Sequence, residues 1–130
     1  MKKEELKIKS DNESWKQGYF LRLVNFSVLI LKFADAIRTN RTLAPVADQL
    51  IRSATSIGAN VHEAQGAGSK KDFAHFLQIA LKSARETIYW LEVLQAYKGK
   101  PSDKITVLLN ECKEITSIIY GSLRTLKNQK

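Results

Sequence analysis

Cysteine is nearly missing from this chain: Cys112 is the only one among 130 residues. A lone thiol excludes an intrachain disulfide framework and a cysteine-based metal cluster, and it exerts no pressure toward an oxidising compartment. A reduced cytoplasm is the expected setting. Proline occurs only at Pro45 and Pro101, so little interrupts helical structure. Long apolar runs are absent too. The richest stretch, FSVLILKFADAI, is broken by Lys32 and Asp35, short of the roughly 18 uninterrupted residues a membrane span needs. No membrane partner is expected. The N-terminal MKKEELKIKSDNESW has no apolar core for a signal peptide, and the small-residue triplet Ala34, Asp35 and Ala36 comes too late and too polar to be its cleavage site. Blocks of one charge are also lacking. The 21 basic residues are scattered among 13 acidic ones, giving a net charge of +8, which favours polyanionic partners without marking a dedicated nucleic-acid arm.

What is present is helical periodicity. Residues 1–18 are mostly charged and read as a flexible polar leader, whereas 19–130 read as one domain with one core. From Phe20 to about Thr39, Leu23, Phe26 or Ser27, Ile30, Phe33 or Ala34, and Ile37 recur every three or four positions. A second helix is expected near Thr42 to Pro45, with the threonine as cap and the proline in the first turn. Its apolar stripe is Val46, Leu50, Ala54, Ile57, Val61 and Ala64. Ser53, Ala54, Ser56, Gly58 and Ala59 would let a neighbour approach closely, and Gly66 and Gly68 should end the helix in left-handed geometry.

Ser69 and Asp72 suggest a reciprocal capping box for a third helix. That helix carries Phe73, Phe76 or Leu77, Ala80 or Leu81, Ala84, Ile88, Leu91 and Leu94, and ends before Gly99. Ser102 is the expected cap of a fourth, whose Ile105, Leu108, Cys112, Ile115, Ile119, Ser122 and Leu126 fall on heptad core positions. Four helices joined by short turns, with no strand alternation, predict an all-α, antiparallel up-and-down four-helix bundle.

The stretch SIGANVHEAQGAGSKKDF contains fragments of several chemical motifs. A zinc protease helix needs a second histidine one turn after His62, and Gly66 stands there. His75 lies beyond a turn, so a site shared with Glu63 would have few ligands, and a surface role suits both histidines better. A phosphate loop needs a longer glycine frame after a strand, whereas GAGSKK follows a helix. An anion at the start of the third helix, beside Lys70 and Lys71, remains open against two ordinary solvated lysines. No serine pairs with a histidine, and Cys112 lies on a core stripe. The reading is non-enzymatic, with no metal or cofactor implied.

Two polar stripes are more informative. On the third helix His75, Gln78, Lys82, Arg85, Tyr89 and Glu92 form one face able to hold a phosphate backbone, with Tyr89 available for stacking. A plain solvated face has the same signature. On the second helix Arg52, Ser56, Asn60 and Glu63 edge the apolar stripe, where partial burial demands partners. A structural hydrogen-bond network with Ser83 or Glu86, or with a second subunit, is expected. Arg52 also counts among the candidate nucleic-acid contacts, with Lys70, Lys71, His75, Lys82, Arg85 and Tyr89.

Over about residues 20–126 in helix pattern, and most specifically from Gln49 to Leu94, the sequence resembles the bacterial four-helix-bundle family first noted as reading frames in intervening sequences of large-subunit ribosomal RNA genes. That family also includes accessory variability proteins of diversity-generating retroelements. The landmarks are Arg52 in RSATSIGAN, Asn60, Glu63, Ser69, Asp72, Phe73, Glu86, Thr87, Trp90 and Leu91. The resemblance implies an antiparallel four-helix bundle without enzymatic activity, commonly a ring-like homopentamer. For the retroelement branch it also implies a basic surface for RNA or DNA and a reverse transcriptase partner. Many relatives carry glycine after the Asn-x-x-Glu motif and an arginine in the next turn, where this chain has Ala64 and then GAGSKK. A self-assembling scaffold that contacts only protein is the alternative expectation.

Overall fold

A computed structural model describes the backbone of residues 3–128 and the side chains of residues 16–128. It comprises α1 (Lys3–Ile37), α2 (Ala44–Gln65), α3 (Lys70–Lys98) and α4 (Asp103–Lys127), with no strand among the described residues. The backbones lie close from α1 to α2, α2 to α3, α3 to α4 and α4 back to α1, and among the described residues neither diagonal pair approaches as closely. This is the square arrangement of an antiparallel up-and-down bundle. α1 starts inside the segment expected as a flexible leader, most of whose side chains lie outside those described.

Each helix turns its periodic stripe inward. Leu23, Phe26, Ile30 and Ala34 of α1 meet Leu50, Ala54, Ile57, Val61 and Ala64 of α2, with Leu77, Ala80, Ala84, Leu91 and Leu94 of α3. Ile105, Leu108, Cys112, Ile115 and Ile119 complete the core from α4. On α3 the fully buried position is Thr87, and its neighbour Ile88 is only half-buried. The threonine is satisfied twice. Its hydroxyl lies 2.8 Å from the Ser83 carbonyl and 2.9 Å from Ser53 Oγ of α2, so a polar residue occupies the core without an orphaned group.

The α2–α3 pair is the most extensive contact in the bundle, and small residues make it possible. Ser53, Ala54, Ala80 and Ala84 are buried, and Ser83 donates to Ser56 Oγ at 2.9 Å just beside them. On its other side α2 approaches α1 at Gly58, where an added Cβ would stand 3.4 Å from Leu23 Cβ.

Three helix ends differ from expectation. Leu43, not Thr42, occupies the α2 cap position and makes no side-chain cap. Asn40 instead accepts from the Thr42 amide at 2.9 Å, because its short amide side chain closes a turn two residues on. Gly66 ends α2 at φ −97°, outside the left-handed region that Gly99 adopts after α3 at φ 74°. Its N–H reaches the Glu63 carbonyl at 3.1 Å, so a tightened last turn does the work of a left-handed cap. At α3, Ser69 accepts from the Asp72 amide at 3.1 Å, but no return bond from the Asp72 carboxylate forms among the described residues. Aspartate is one methylene shorter than the glutamate or glutamine that usually closes the box.

α1 and α4 share the slightest contact and are joined by a charged clasp. Arg22 donates through Nε and Nη2 to both oxygens of Glu111, at 2.8 and 2.7 Å, and through Nη2 to Glu114 at 2.8 Å. The guanidinium hydrogen bond holds the Glu111 carboxyl below its usual value, against the opposing effect of partial burial. Because this carboxyl titrates lower in the folded than in the unfolded chain, its stabilisation is present above about pH 4.5 and lost as pH falls through the folded value. Glu111→Gln is therefore expected to cost roughly 1 kcal/mol at pH 7 and to flatten the acid limb of stability, measured by urea unfolding across pH 3–7. Gly58→Ala places its methyl at ordinary contact distance from Leu23 and removes a mid-helix glycine. It should raise stability by about 0.5 kcal/mol, read as an increase in Tm.

Candidate nucleic-acid interface

The outer face of α3 comes from the same register that buries its core. With Leu77, Ala80, Ala84, Thr87, Leu91 and Leu94 inward, the residues offset around the helix point to solvent. His75, Gln78, Lys82, Arg85, Tyr89 and Glu92 are all exposed. At 1.5 Å per residue the stripe from His75 to Glu92 is about 25 Å long, enough to follow several phosphates of one strand. Among the described residues, neither Lys82 nor Arg85 is held in an ion pair. Tyr89 is 60% exposed and packs edge-on against Trp90, with ring centroids 5.2 Å apart. His75 makes a similar edge contact with Phe76 at 5.8 Å. Lys70 and Lys71 extend the face at the capped start of α3, both exposed.

Arg52 sits on α2 rather than on this stripe. It lies one turn before Ser56, on the edge of α2 that meets α3, and is exposed. The polar ladder expected around it divides in two. Asn60 Nδ2 donates to the Ser56 carbonyl at 2.8 Å and to Ser56 Oγ at 2.9 Å, and Ser83 Oγ joins Ser56 from α3. Arg52, Glu63 and Glu86 remain exposed and take no part in those bonds. The network is therefore built from short side chains that reach across a close seam. The long charged ones extend past it into water, where solvation competes with pairing.

Groups suited to chemistry do not converge. His62 lies on α2 against Phe20, with ring centroids 5.2 Å apart, and His75 lies on α3. Among the described residues, no three or more His, Cys, Asp or Glu side chains gather in a way that could hold a metal ion. The Cys112 thiol is fully buried and donates to the Ala84 carbonyl at 3.5 Å. Burial pushes its pKa up to about 12, the opposite of an activated nucleophile.

A second face of α1 escaped the sequence reading, which found only the inner stripe. Leu21, Val24, Val28 and Leu31 are 40–53% exposed and recur by threes and fours, the spacing of a coiled-coil seam. Phe20 and Leu29 flank them, also exposed. The signal was there. Between Phe20 and Phe33 the chain has more large apolar residues than one buried stripe requires, and a helix apolar on both sides has a second surface to cover.

The chain is matched by the family described as 23S rRNA-intervening sequence protein over residues 11–121. No curated protein matches it. Among solved structures it is similar to a protein of unknown function from the S23 ribosomal protein family of Bacteroides thetaiotaomicron VPI-5482. The two share 33% identity over 80% of this chain and 96% of that one, with a TM-score of 0.75. The four-helix arrangement and the length of the match agree: this chain belongs to the 23S rRNA-intervening sequence protein family.

Proposed function

We propose that the protein is a non-enzymatic, oligomeric helical bundle that binds RNA or DNA through the outer face of α3. The observation that carries this reading is the unbroken exposure of His75, Gln78, Lys82, Arg85 and Tyr89, with both cations free of ion pairs among the described residues. The net charge of +8 supplies the attractive field. Lys82 and Arg85 would contact phosphate, Tyr89 would stack on an unpaired base, and Lys70, Lys71 and Arg52 would extend the contact at its margins. Such binding is read from backbone charge and base faces, so it is tolerant of sequence. A family described by its link to 23S rRNA intervening sequences fits a nucleic-acid setting. The protein would act in the cytoplasm, with Cys112 reduced. A reverse transcriptase is the protein partner implied if this chain follows the retroelement branch.

A second reading, assembly without any nucleic-acid role, draws on the outer face of α1. Leu21, Val24, Val28 and Leu31 form an apolar seam suited to a second copy of the chain. The two readings separate by substitution. Lys82→Gln with Arg85→Gln should leave assembly intact and weaken RNA binding at low salt. It should also reduce the slope of log affinity against log salt by roughly 1.4, as two lost phosphate contacts on a single strand require. Val24→Asp with Val28→Asp should dissociate the oligomer, measured by analytical ultracentrifugation. Absence of RNA and DNA binding by the unaltered protein at low salt would leave only the assembly reading.

A further inference from the structure

The Arg22 clasp joins α1 and α4 partway along their seam, which opens toward the C-terminal end of α1. Beyond the clasp, Leu29, Lys32, Phe33, Ala36 and Ile37 of α1 face Ser102, Asp103, Lys104, Val107 and Leu108 across a cleft of about 550 Å³. A smaller hollow of about 310 Å³ adjoins it and shares Phe33, Ala36, Ile37 and Lys98. The walls are apolar. The rim is cationic, since Lys32, Lys98 and Lys104 border the cleft with Asp103 as the one acidic side chain.

The start of α4 adds a second, independent feature. Ser102 holds the cap position in extended geometry, as Ser69 does for α3, yet its side chain makes no cap hydrogen bond. The residue is only 8% exposed, lines the cleft, and its hydroxyl has no hydrogen-bond partner among the described residues. The hydroxyl is not sealed off from solvent, so it is available to a molecule in the cleft. Here the hydroxyl and the first amides of α4 stand at the positive end of a helix, beside an apolar wall, in a cleft whose lining includes three lysines.

We propose that this cleft binds a small amphipathic organic anion. Its apolar chain or ring would lie on Leu29, Phe33, Ile37 and Leu108, and its carboxylate or phosphate head would accept hydrogen bonds from Ser102 and the start of α4. Pockets of this volume suit molecules of that class, with an apolar lining and few polar groups fixing the orientation. The charge of the rim selects the head: an anion gains from the lysines and the helix end, whereas a cation with the same tail meets repulsion from both. The site is separate from the outer face of α3, so it stands or falls independently of nucleic-acid binding.

The test uses the full chain and calorimetric titration with three probes of one tail length, each below its micelle concentration: dodecanoate, dodecyl phosphate and dodecyltrimethylammonium. The expected result is saturable binding of the two anions at one per chain and none of the cation. Val107→Asp, on the exposed rim, should abolish binding. Lys32→Glu with Lys104→Glu should weaken it by about tenfold or more. Ser117→Asp, exposed on α4 away from the cleft, should leave it unchanged. Circular dichroism confirms that each variant is folded, and ligand-induced NMR shifts at Ser102 and Leu108 locate the site in the unaltered protein. The proposal is overturned by equal binding of the cation, by no saturable binding, or by loss of binding with Ser117→Asp. It is also overturned if Val107→Asp dissociates the oligomer, which would assign the cleft to a second copy of the chain.

Discussion

The close approach of α2 and α3 is the constraint on which the rest of the bundle depends. Ser53, Ala54, Ala80 and Ala84 bring the two backbones together, and the Thr87–Ser53 and Ser83–Ser56 hydrogen bonds fix how one helix is registered on the other. Hydrogen bonds between buried hydroxyls are directional in a way that apolar contact is not, so they penalise a slipped register by leaving unsatisfied groups. Once α3 is held in that register, its outer residues follow. The exposed stripe of Lys82, Arg85 and Tyr89 is the reverse side of the same packing.

The opposite seam has a different character. α1 and α4 touch least and rely on Arg22 gripping Glu111 and Glu114. A charged clasp holds two helices at one level without requiring that their apolar faces close along the whole length. Toward the C-terminal end of α1 the seam remains a cleft, lined on the α4 side by Ser102. α1 is thus packed firmly on α2, pinned to α4 at one point, and still apolar on its outer side. Its two unfilled surfaces, the cleft and the outer seam, are what the proposed ligand and a second copy of the chain would cover.

Much of the candidate site was legible in the sequence. The exposure of all six residues of the α3 stripe follows from placing Leu77, Ala84 and Leu91 inward, which periodicity alone indicates. Edge positions were harder. Ser83 was named as a partner for the α2 ladder and does join it, but Glu86, named with it, remains in solvent. On α3 Ser83 lies about 60° nearer the centre of the buried face than Glu86, so its hydroxyl reaches α2 while the Glu86 carboxylate is turned to water. Thr87 was read as a landmark, not as core, because its polarity hides the two hydrogen bonds that permit its burial.

Local information determined four helices, their order, their inner faces and most of their ends, because apolar spacing, capping serines and glycines act over a few residues along one dimension. Even there, small shifts depended on the surroundings, as at Leu43 and Gly66. Only the tertiary structure decided which distant groups meet. Arg22 and Glu111 lie 89 residues apart, and no periodicity links them. The same holds for the cleft at Ser102 and the uncovered outer face of α1. A cavity or a bare surface results from how closely whole helices pack, and that closeness is set jointly by side chains from elements far apart in the chain.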